Sequence, residues 1–394
     1  MNLRVAYISY ADYGGPLVHT KEFTNAFRKF VPDLVTYCPY LEKNLSYVSG
    51  GKETFFNKLF AHFPSWSRQL KLEFYQFRKL LRDWVKYHMF SDLYLKHNID
   101  IIVVRSDAFV MGPIYAANKH GIPYLLEING ILSKHEPDQI TRLFEKYILS
   151  KAAGIFAVCD PLVPLLTNLD VPEDRIRVIP NGVCLENFQS TDLSAIPSSL
   201  RLKLKEKIVV GYVGTFTLYH DIFPLISGFI QALKKIPDLR LLLIGEGRLK
   251  KSSEEKVKAF GVESSVIFAG KVSHDHIPAY LQLCSILVNP MQQIYEEAFH
   301  YAPIKMFEYM AAKKPIISTD LPSLRHFLDD SAIFVSPKSD VGWRDAIITL
   351  AQNEKLRQQK GKEAHEQLIK CAYTWEENAR KVFEYCKDIL SFSV

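Results

Sequence analysis

Residues 209–221 read VVGYVGTFTLYHD. Val209–Val213 is a short apolar run that predicts a strand, Gly214 follows at its carboxyl end, and a helix is predicted after Asp221. A glycine between a strand and a helix N-terminus favours an anion there, because free amides and the helix dipole both attract negative charge. The stretch therefore predicts one unit of a parallel α/β sheet with a turn suited to a phosphate.

Short apolar runs alternate with longer amphipathic segments on both sides of this unit, in two sets. The second set contains Val209–Val213, Arg240–Ile244, Val266–Phe268, Ile286–Val288, Pro315–Ser318 and Ala332–Val335. The first set contains Val5–Ser9, Ile101–Val104, Tyr124–Glu127, Ile155–Val158 and Arg177–Ile179. Two such sets predict an α/β protein with two doubly wound, Rossmann-like parallel sheets.

Chain length also predicts two domains. The 394 residues exceed the roughly 250–300 residues at which one hydrophobic core usually stops growing. We place the first domain at 1–188, a linker rich in Ser, Lys and Leu at 189–207, and the second domain at 208–374.

Composition narrows the class of protein. Apolar residues make up 48% of the chain and charged residues 23%, a composition typical of a globular protein that argues against extended disorder. The six cysteines lie far apart, without metal-ligand spacing, which is typical of a reducing cytoplasm without structural zinc. Leu3–Ser9 is too short for a signal peptide, and no apolar run spans a membrane. The net charge of +6 suits a phosphate-bearing ligand or an anionic surface, whereas no motif supports nucleic acid.

The segment 55–97 interrupts the first set and is rich in aromatic and basic residues. It predicts one or two amphipathic helices packed on the first domain. The alternative is an interfacial helix that contacts a membrane or a lipid-linked acceptor, which would make the cytoplasmic protein peripheral at the inner face of a membrane.

Loops after the predicted strands are the places where an open parallel sheet binds ligands. Gly14 and Gly15 follow the first strand, and Gly245-Glu246-Gly247 follows a strand of the second set. The latter lacks the third glycine of the dinucleotide fingerprint, which disfavours a nicotinamide dehydrogenase.

The stretch 299–312 reads FHYAPIKMFEYMAA, and Pro303 is placed to start a helix. Lys305 and Glu308 are then neighbours on one helix face. They are either a surface ion pair or a cation for a diphosphate and a carboxylate for a ribose diol.

At these residues the chain resembles the family-four, or group 1, retaining glycosyltransferases. Val178–Val183 with Phe188 resembles the segment that closes the family's first domain. Four segments follow in the family's order and at compatible spacing: Gly211–Asp221, Leu242–Gly247, Val266–Val272 and Ile304–Ala312. The resemblance implies the GT-B fold, with two domains facing each other across a cleft and the segment 375–394 crossing back to the first domain.

The resemblance also implies roles for single residues on the donor side. Glu308 would bind the ribose hydroxyls, and amides near Ile304 and Lys305 would meet the diphosphate. The loop formed by Gly270, Lys271 and Val272 would hold the base, and the remaining donor-side candidates are Gly214, Thr215, Gly245, His220 and His300.

On the other side, Glu127 and Asn129 would face the transferred sugar or the acceptor, as would Arg105 and the Gly14-Gly15 loop.

Some positions depart from the family's pattern. Thr215 and His220 stand where an Arg and a Lys are usual, Asp221 stands for a Gly, Ala302 for a Ser, and His300 for a Glu. A diphosphate leaving group then draws on Lys305, helix amides and His220 if it is protonated. Alternatively, His220 is a neutral hydrogen-bond donor to the sugar or acceptor.

The expected activity is that of a retaining hexosyltransferase of polysaccharide biosynthesis. It would move a sugar from a UDP- or GDP-sugar to a glycan, lipid-linked or small-molecule acceptor. The chain has no Asp-x-Asp pair, so we expect no metal and no cofactor. The rival interpretations are a catalytically degenerate nucleotide-sugar-binding protein and a nucleotide-sugar epimerase.

Overall fold

The computed structural model describes residues 3–12, 14–42, 66–106, 109–135, 138–189, 192–293 and 302–391. Among these residues, one compact unit contains the chain up to Pro180 and from Ala379 onward, and a second contains Asn181 to Asn378. Whether the domain limits predicted from the sequence mark independently folding domains stays a prediction.

The first unit has a six-stranded parallel sheet in the order β2-β1-β3-β4-β5-β6. Its strands are β1 Val5–Ile8, β2 Val35–Tyr37, β3 Ile101–Arg105, β4 Tyr124–Ile128, β5 Gly154–Ala157 and β6 Ile176–Val178. Its helices are α1 Gly14–Phe27, α2 Pro39–Glu42, α3 Trp66–Trp84, α4 Tyr87–His97, α5 Met111–Lys119, α6 Leu132–His135, α7 Gln139–Lys151 and α8 Val163–Thr167.

The second unit repeats this architecture with the strand order β12-β11-β10-β7-β8-β9, again all parallel. Its strands are β7 Ile208–Val213, β8 Leu239–Ile244, β9 Val266–Gly270, β10 Ile286–Asn289, β11 Ile316–Thr319 and β12 Ala332–Val335. Its helices are α9 Ser198–Leu204, α10 Ile222–Leu233, α11 Lys250–Ala259, α12 Ile277–Gln282, α13 Ile304–Ala311, α14 Pro322–Leu328, α15 Asp340–Gln352 and α16 Glu354–Lys370.

The predicted fold class is confirmed, since both sheets are parallel and connected through helices. Every predicted strand is present, and β2 is an addition. It escaped prediction because it has only three residues, all half-buried, at the edge of the sheet. The segment predicted as a linker, 189–207, contains α9, whose Leu200 and Leu204 are buried.

The last helix, α17 Trp375–Ser391, packs on the first unit. The Tyr385 hydroxyl donates to the Arg175 carbonyl at 2.7 Å and accepts from the Ile155 amide at 3.3 Å. Arg177 donates to Asp388 at 2.7 Å. These contacts join α17 to strands β5 and β6. Among the described residues, no helix is both long and apolar enough to cross a membrane.

Each sheet has a point where the strand order reverses, between β1 and β3 in the first unit and between β7 and β10 in the second. Ligands of open parallel sheets bind beyond the carboxyl ends of the strands at such points. The loops that follow β1, β3, β4, β7, β8 and β9 are therefore the places where candidate side chains gather.

The packing of α10 on α15 depends on Gly228. A Cβ at this position would lie 2.5 Å from the Asp340 carbonyl oxygen and 2.6 Å from Trp343 Cβ. We expect Gly228→Ala to lower the free energy of unfolding by about 1–3 kcal/mol, because overpacking outweighs the gain of up to about 1 kcal/mol in helix propensity. Urea denaturation measures the change.

Gly15→Ala is the matched control, since a Cβ there would meet nothing within 4 Å and the residue lies in the first turn of α1. Its stability should stay equal or rise slightly. Equal stability of the Gly228 variant and the natural protein would show that the two helices are not closely packed at this point.

Candidate functional site

Three loops at the carboxyl edge of the second sheet are joined by backbone hydrogen bonds. The Gly214 amide donates to the Ile244 carbonyl at 3.0 Å, and the Gly245 amide donates to the Gly270 carbonyl at 2.8 Å. The Phe216 amide donates to the Glu246 carbonyl at 3.0 Å. The predicted glycine loops after β7, β8 and β9 therefore lie side by side.

Glycine is required where two of these loops touch. A Cβ at Gly245, whose φ is 136°, would lie 1.9 Å from the Gly214 carbonyl oxygen. A Cβ at Gly214 would lie 3.2 Å from Lys305 Nζ, so this loop borders the start of α13. The structure thus brings together Gly214, Gly245 and Lys305, which the sequence places far apart.

Lys305 lies in the first turn of α13, which begins at Ile304 directly after Pro303, as the sequence predicts. The side chain is buried, with 8% of the residue exposed, and Nζ lies 4.7 Å from the centre of the Tyr212 ring. Among the described residues, Nζ has no hydrogen-bond partner. Desolvation lowers the pKa of Lys305 from 10.5 to about 7, although the charge of Glu308 acts in the opposite direction.

Glu308 lies one turn further along α13 and is 6% exposed. Burial of both residues rules out the interpretation of Lys305 and Glu308 as a surface ion pair. The carboxylate contacts His274, whose Nε2 lies 2.6 Å from Glu308 Oε1. His274 was not predicted from the sequence, where the only signal for it is its position shortly after the Gly270 loop.

His220 is half-buried on the loop before α10. Its Nδ1 lies 3.3 Å from Thr217 Oγ1, and its ring meets the Tyr212 ring edge-on at 5.7 Å. Desolvation and then the charge of Lys305 hold the pKa of His220 well below its ordinary value of 6.5. This environment favours the neutral alternative for His220 over the cationic one.

The other donor-side candidates lie near this group or outside the described residues. Ile304 is the first residue of α13, and the Thr215 carbonyl accepts from the Tyr212 hydroxyl at 2.9 Å. Lys271 is exposed and Val272 half-buried after Gly270. His300 lies outside the described residues. No group of three or more potential metal ligands occurs in the described ranges, and metal independence stays a prediction.

In the first unit, the predicted residues at the ends of β3 and β4 converge on Glu127, which is fully buried. Its carboxylate accepts from the Tyr7 hydroxyl at 3.1 Å and from Asn129 Nδ2 at 2.8 Å. Arg105 Nη1 also donates to it, and His19 Nε2 lies 3.2 Å away. Tyr7 and His19 were not predicted, because the first lies within a strand and the second within a helix.

This arrangement indicates what Glu127 can do. Buried polar groups are costly unless they have hydrogen-bond partners, and four side chains surround the carboxyl group of Glu127. Direct contact of Glu127 with a sugar would require one of them to move. The geometry favours a positioning role, in which Glu127 orients Arg105 and Asn129. Gly14 and Gly15 form the start of α1, the helix that carries His19.

Two family models match the chain. The model described as Glycosyltransferase Family 4 matches residues 13–187, and the model described as Glycosyl transferases group 1 matches residues 197–367. Together they cover most of both units.

Single relatives are more distant. The chain is 22% identical to an alpha-D-kanosaminyltransferase of Streptomyces kanamyceticus over 65% of this chain and 66% of that protein. It is 29% identical to the putative teichuronic acid biosynthesis glycosyltransferase TuaH of Bacillus subtilis over 39% of this chain and 37% of that protein. The chain thus spans less than two thirds of the length of either relative.

Among solved structures, Anabaena Alr3699/HepE in complex with UDP-glucose superimposes with a TM-score of 0.73 at 12% identity. The superposition covers 98% of this chain and 100% of that one, which shows a shared GT-B fold. Both family models match in chain order on two six-stranded parallel sheets, and the chain therefore belongs to the group 1, or family 4, glycosyltransferases.

Proposed function

We propose that the protein transfers a hexose from a nucleotide-diphosphate donor, a UDP- or GDP-sugar, to a glycan, lipid-linked or small-molecule acceptor with retention of configuration. The observation that carries the proposal is the buried Lys305 ammonium, which has no hydrogen-bond partner among the described residues. A buried cation without a partner is costly, so its burial suggests a site that an anionic ligand completes.

A diphosphate fits this position. Lys305 lies in the first turn of α13, where the backbone amides have no partner within the helix. Such amides at a helix N-terminus bind phosphate. A bound diphosphate would place negative charge beside Lys305 and raise the pKa of Lys305, so that the ammonium is charged in the complex. His220, held neutral, would donate a hydrogen bond to the diphosphate or to the sugar.

The same helix supports binding of the nucleoside. Glu308 would accept from the ribose hydroxyls through a carboxylate that His274 holds in place. Backbone groups of the Gly270 loop would contact the base. These roles follow the family resemblance and fit the spacing of one helical turn between Lys305 and Glu308.

In this reaction the protein forms no covalent bond with the substrates. The bond between the anomeric carbon and the diphosphate oxygen breaks, and its electron pair leaves with the diphosphate. The acceptor oxygen attacks the same face, and its proton passes to the leaving diphosphate. Charge that builds up on the diphosphate is stabilised by Lys305 and by the helix amides, which lowers the barrier.

The relatives' names support a sugar donor of this class, since HepE was crystallised with UDP-glucose and the first relative transfers kanosamine. A thermal-shift screen with UDP, GDP and ADP identifies the base, because a ligand that binds the folded state stabilises it. We then expect transfer from the matching sugar nucleotide, and the anomeric proton coupling of the product in NMR to show the donor's configuration.

Other outcomes of this experiment would replace the proposal. Donor binding without transfer or hydrolysis over an acceptor panel would indicate a binding protein. Interconversion of the free donor without acceptor would indicate an epimerase. A product of inverted configuration would contradict retention.

We expect Lys305→Met to stabilise the ligand-free protein and to abolish its stabilisation by the diphosphate. A fall in pKa from 10.5 to about 7 corresponds to a folding penalty of on the order of 5 kcal/mol, at about 1.4 kcal/mol per pKa unit. The penalty is full below pH 7, where the lysine is charged in both the folded and unfolded states, and disappears as the pH rises toward 10.5. Urea denaturation across this pH range measures the variant's advantage.

Lys305→Arg is the control for this prediction, because it keeps the charge and therefore should not gain stability. It should keep part of the thermal shift caused by the diphosphate. A Lys305→Met protein that is no more stable at neutral pH, or that still responds fully to the diphosphate, would remove Lys305 from the site.

We expect Glu308→Gln to weaken nucleotide affinity by on the order of 1.5–3 kcal/mol, because it loses a charge-assisted hydrogen bond to the ribose. Isothermal titration calorimetry measures the loss. With the 2′,3′-dideoxy nucleotide, the variant and the natural protein should bind alike. His274→Gln should give a smaller loss, since in this proposal His274 holds the Glu308 carboxylate and leaves the ribose contact to Glu308. Equal affinity of Glu308→Gln for the ribonucleotide would sink the assignment.

A further inference from the structure

Helix α3 lies on the first unit with its amphipathic character reversed. Its buried positions include two polar residues, Gln76 and Asp83, whereas Phe74, Phe77 and Leu81 are exposed. A surface helix normally buries its apolar stripe and exposes its polar one. Two questions follow: which contacts hold α3 in this orientation, and what its exposed apolar side chains bind.

The cause lies in contacts that fix the rotation of α3 about its axis. The Glu73 carboxylate accepts from the Gln139 and Ile140 amides at 2.9 and 3.2 Å, at the first residues of α7. The Asp83 carboxylate accepts from the Gly112 amide at 2.9 Å, in the first turn of α5. Carboxylates are stabilising at helix N-termini, so both contacts hold the polar side of α3 against the protein.

The outward side of α3 continues into α4 as one stripe. Spacings of three or four residues separate its members, which are between 42% and 63% exposed: Phe74, Phe77, Leu81, Val85 and Met89. We call this stripe and its flanking basic residues the outer face of α3. Monomeric proteins rarely expose a contiguous apolar patch of this kind without a binding role.

Charge indicates what the outer face binds. From Phe74 to Met89 the one acidic side chain, Asp83, is buried and paired with Lys86 at 3.1 Å, and the other charged residues at the surface are all basic: Arg78, Lys79 and Arg82. Aromatic and aliphatic side chains flanked by Lys and Arg are the composition that inserts into the headgroup region of an anionic bilayer.

We propose that the outer face of α3 docks the protein on an anionic lipid bilayer, with the stripe from Phe74 to Met89 inserted at the level of the headgroups. The proposal concerns the surface of the first unit and does not depend on the donor site proposed above.

Flotation of the full-length protein with lipid vesicles tests it. We expect binding to vesicles that contain phosphatidylglycerol, little binding to phosphatidylcholine alone, and weaker binding as salt concentration rises. Phe74→Ser/Phe77→Ser and Arg78→Glu/Arg82→Glu should each lower the partition coefficient at least about tenfold.

Matched controls come from the second unit. Phe260→Ser/Ile369→Ser removes two exposed apolar side chains, and Lys251→Glu/Lys258→Glu reverses two exposed lysines of α11. Both should bind vesicles as the natural protein does, and thermal denaturation should show all four variants folded.

Failure of the natural protein to float with anionic vesicles would overturn the proposal. Equal loss in the control variants would also overturn it, because general charge and hydrophobicity would then explain the binding. Light scattering separates self-association: if the Phe74→Ser/Phe77→Ser change dissociates a dimer and leaves vesicle binding intact, the outer face is an interface between copies of the chain.

Discussion

The candidate site of the second unit depends on Lys305, whose ammonium group is removed from water when the protein folds. Lys305 is buried against Tyr212 and next to the Gly214 loop, and none of the described groups accepts a hydrogen bond from its ammonium. Desolvation, opposed by the charge of Glu308, lowers the pKa of Lys305 to about 7, and the charge of Lys305 adds to the desolvation that lowers the pKa of His220. The fold therefore keeps an arrangement that is unfavourable in the free protein and that an anion would relieve.

The buried carboxyl group of the first unit, in contrast, has several hydrogen-bond partners. Glu127 is more deeply buried than Lys305, yet Tyr7, Asn129, Arg105 and His19 surround its carboxylate. Such a network is rigid because each member is held by another, and it leaves the carboxylate little capacity for a ligand. Glu127 thus fits a role in positioning its neighbours, whereas Lys305 fits a role in binding a ligand.

The parallel sheets could be predicted because each of their longer strands is an apolar run between turn-forming residues. The start of α13 could be predicted because proline, here Pro303, is favoured at the beginning of a helix. The roles of His274, His19 and Tyr7 could not be predicted. Each lies in a helical or strand segment, and the sequence of such a segment indicates burial but not which distant side chain it contacts. The rotation of α3 was equally hidden, since the carboxylates of Glu73 and Asp83 look like ordinary surface charges until their partners on α5 and α7 are known. Sequence patterns carry periodicity well and carry long-range pairing poorly.

The contact between Gly245 and Gly214 bears on how freely this loop region can change. The loops after β7, β8 and β9 are joined to one another through main-chain amides and carbonyls, and the side chains of Thr215 and Lys271 make none of these bonds. Residues such as Thr215 and Lys271 can therefore be exchanged without loosening the loops, whereas the two glycines cannot. A scaffold of this kind separates the shape of a pocket from its chemistry, and it can be fitted to new ligands by replacing side chains alone.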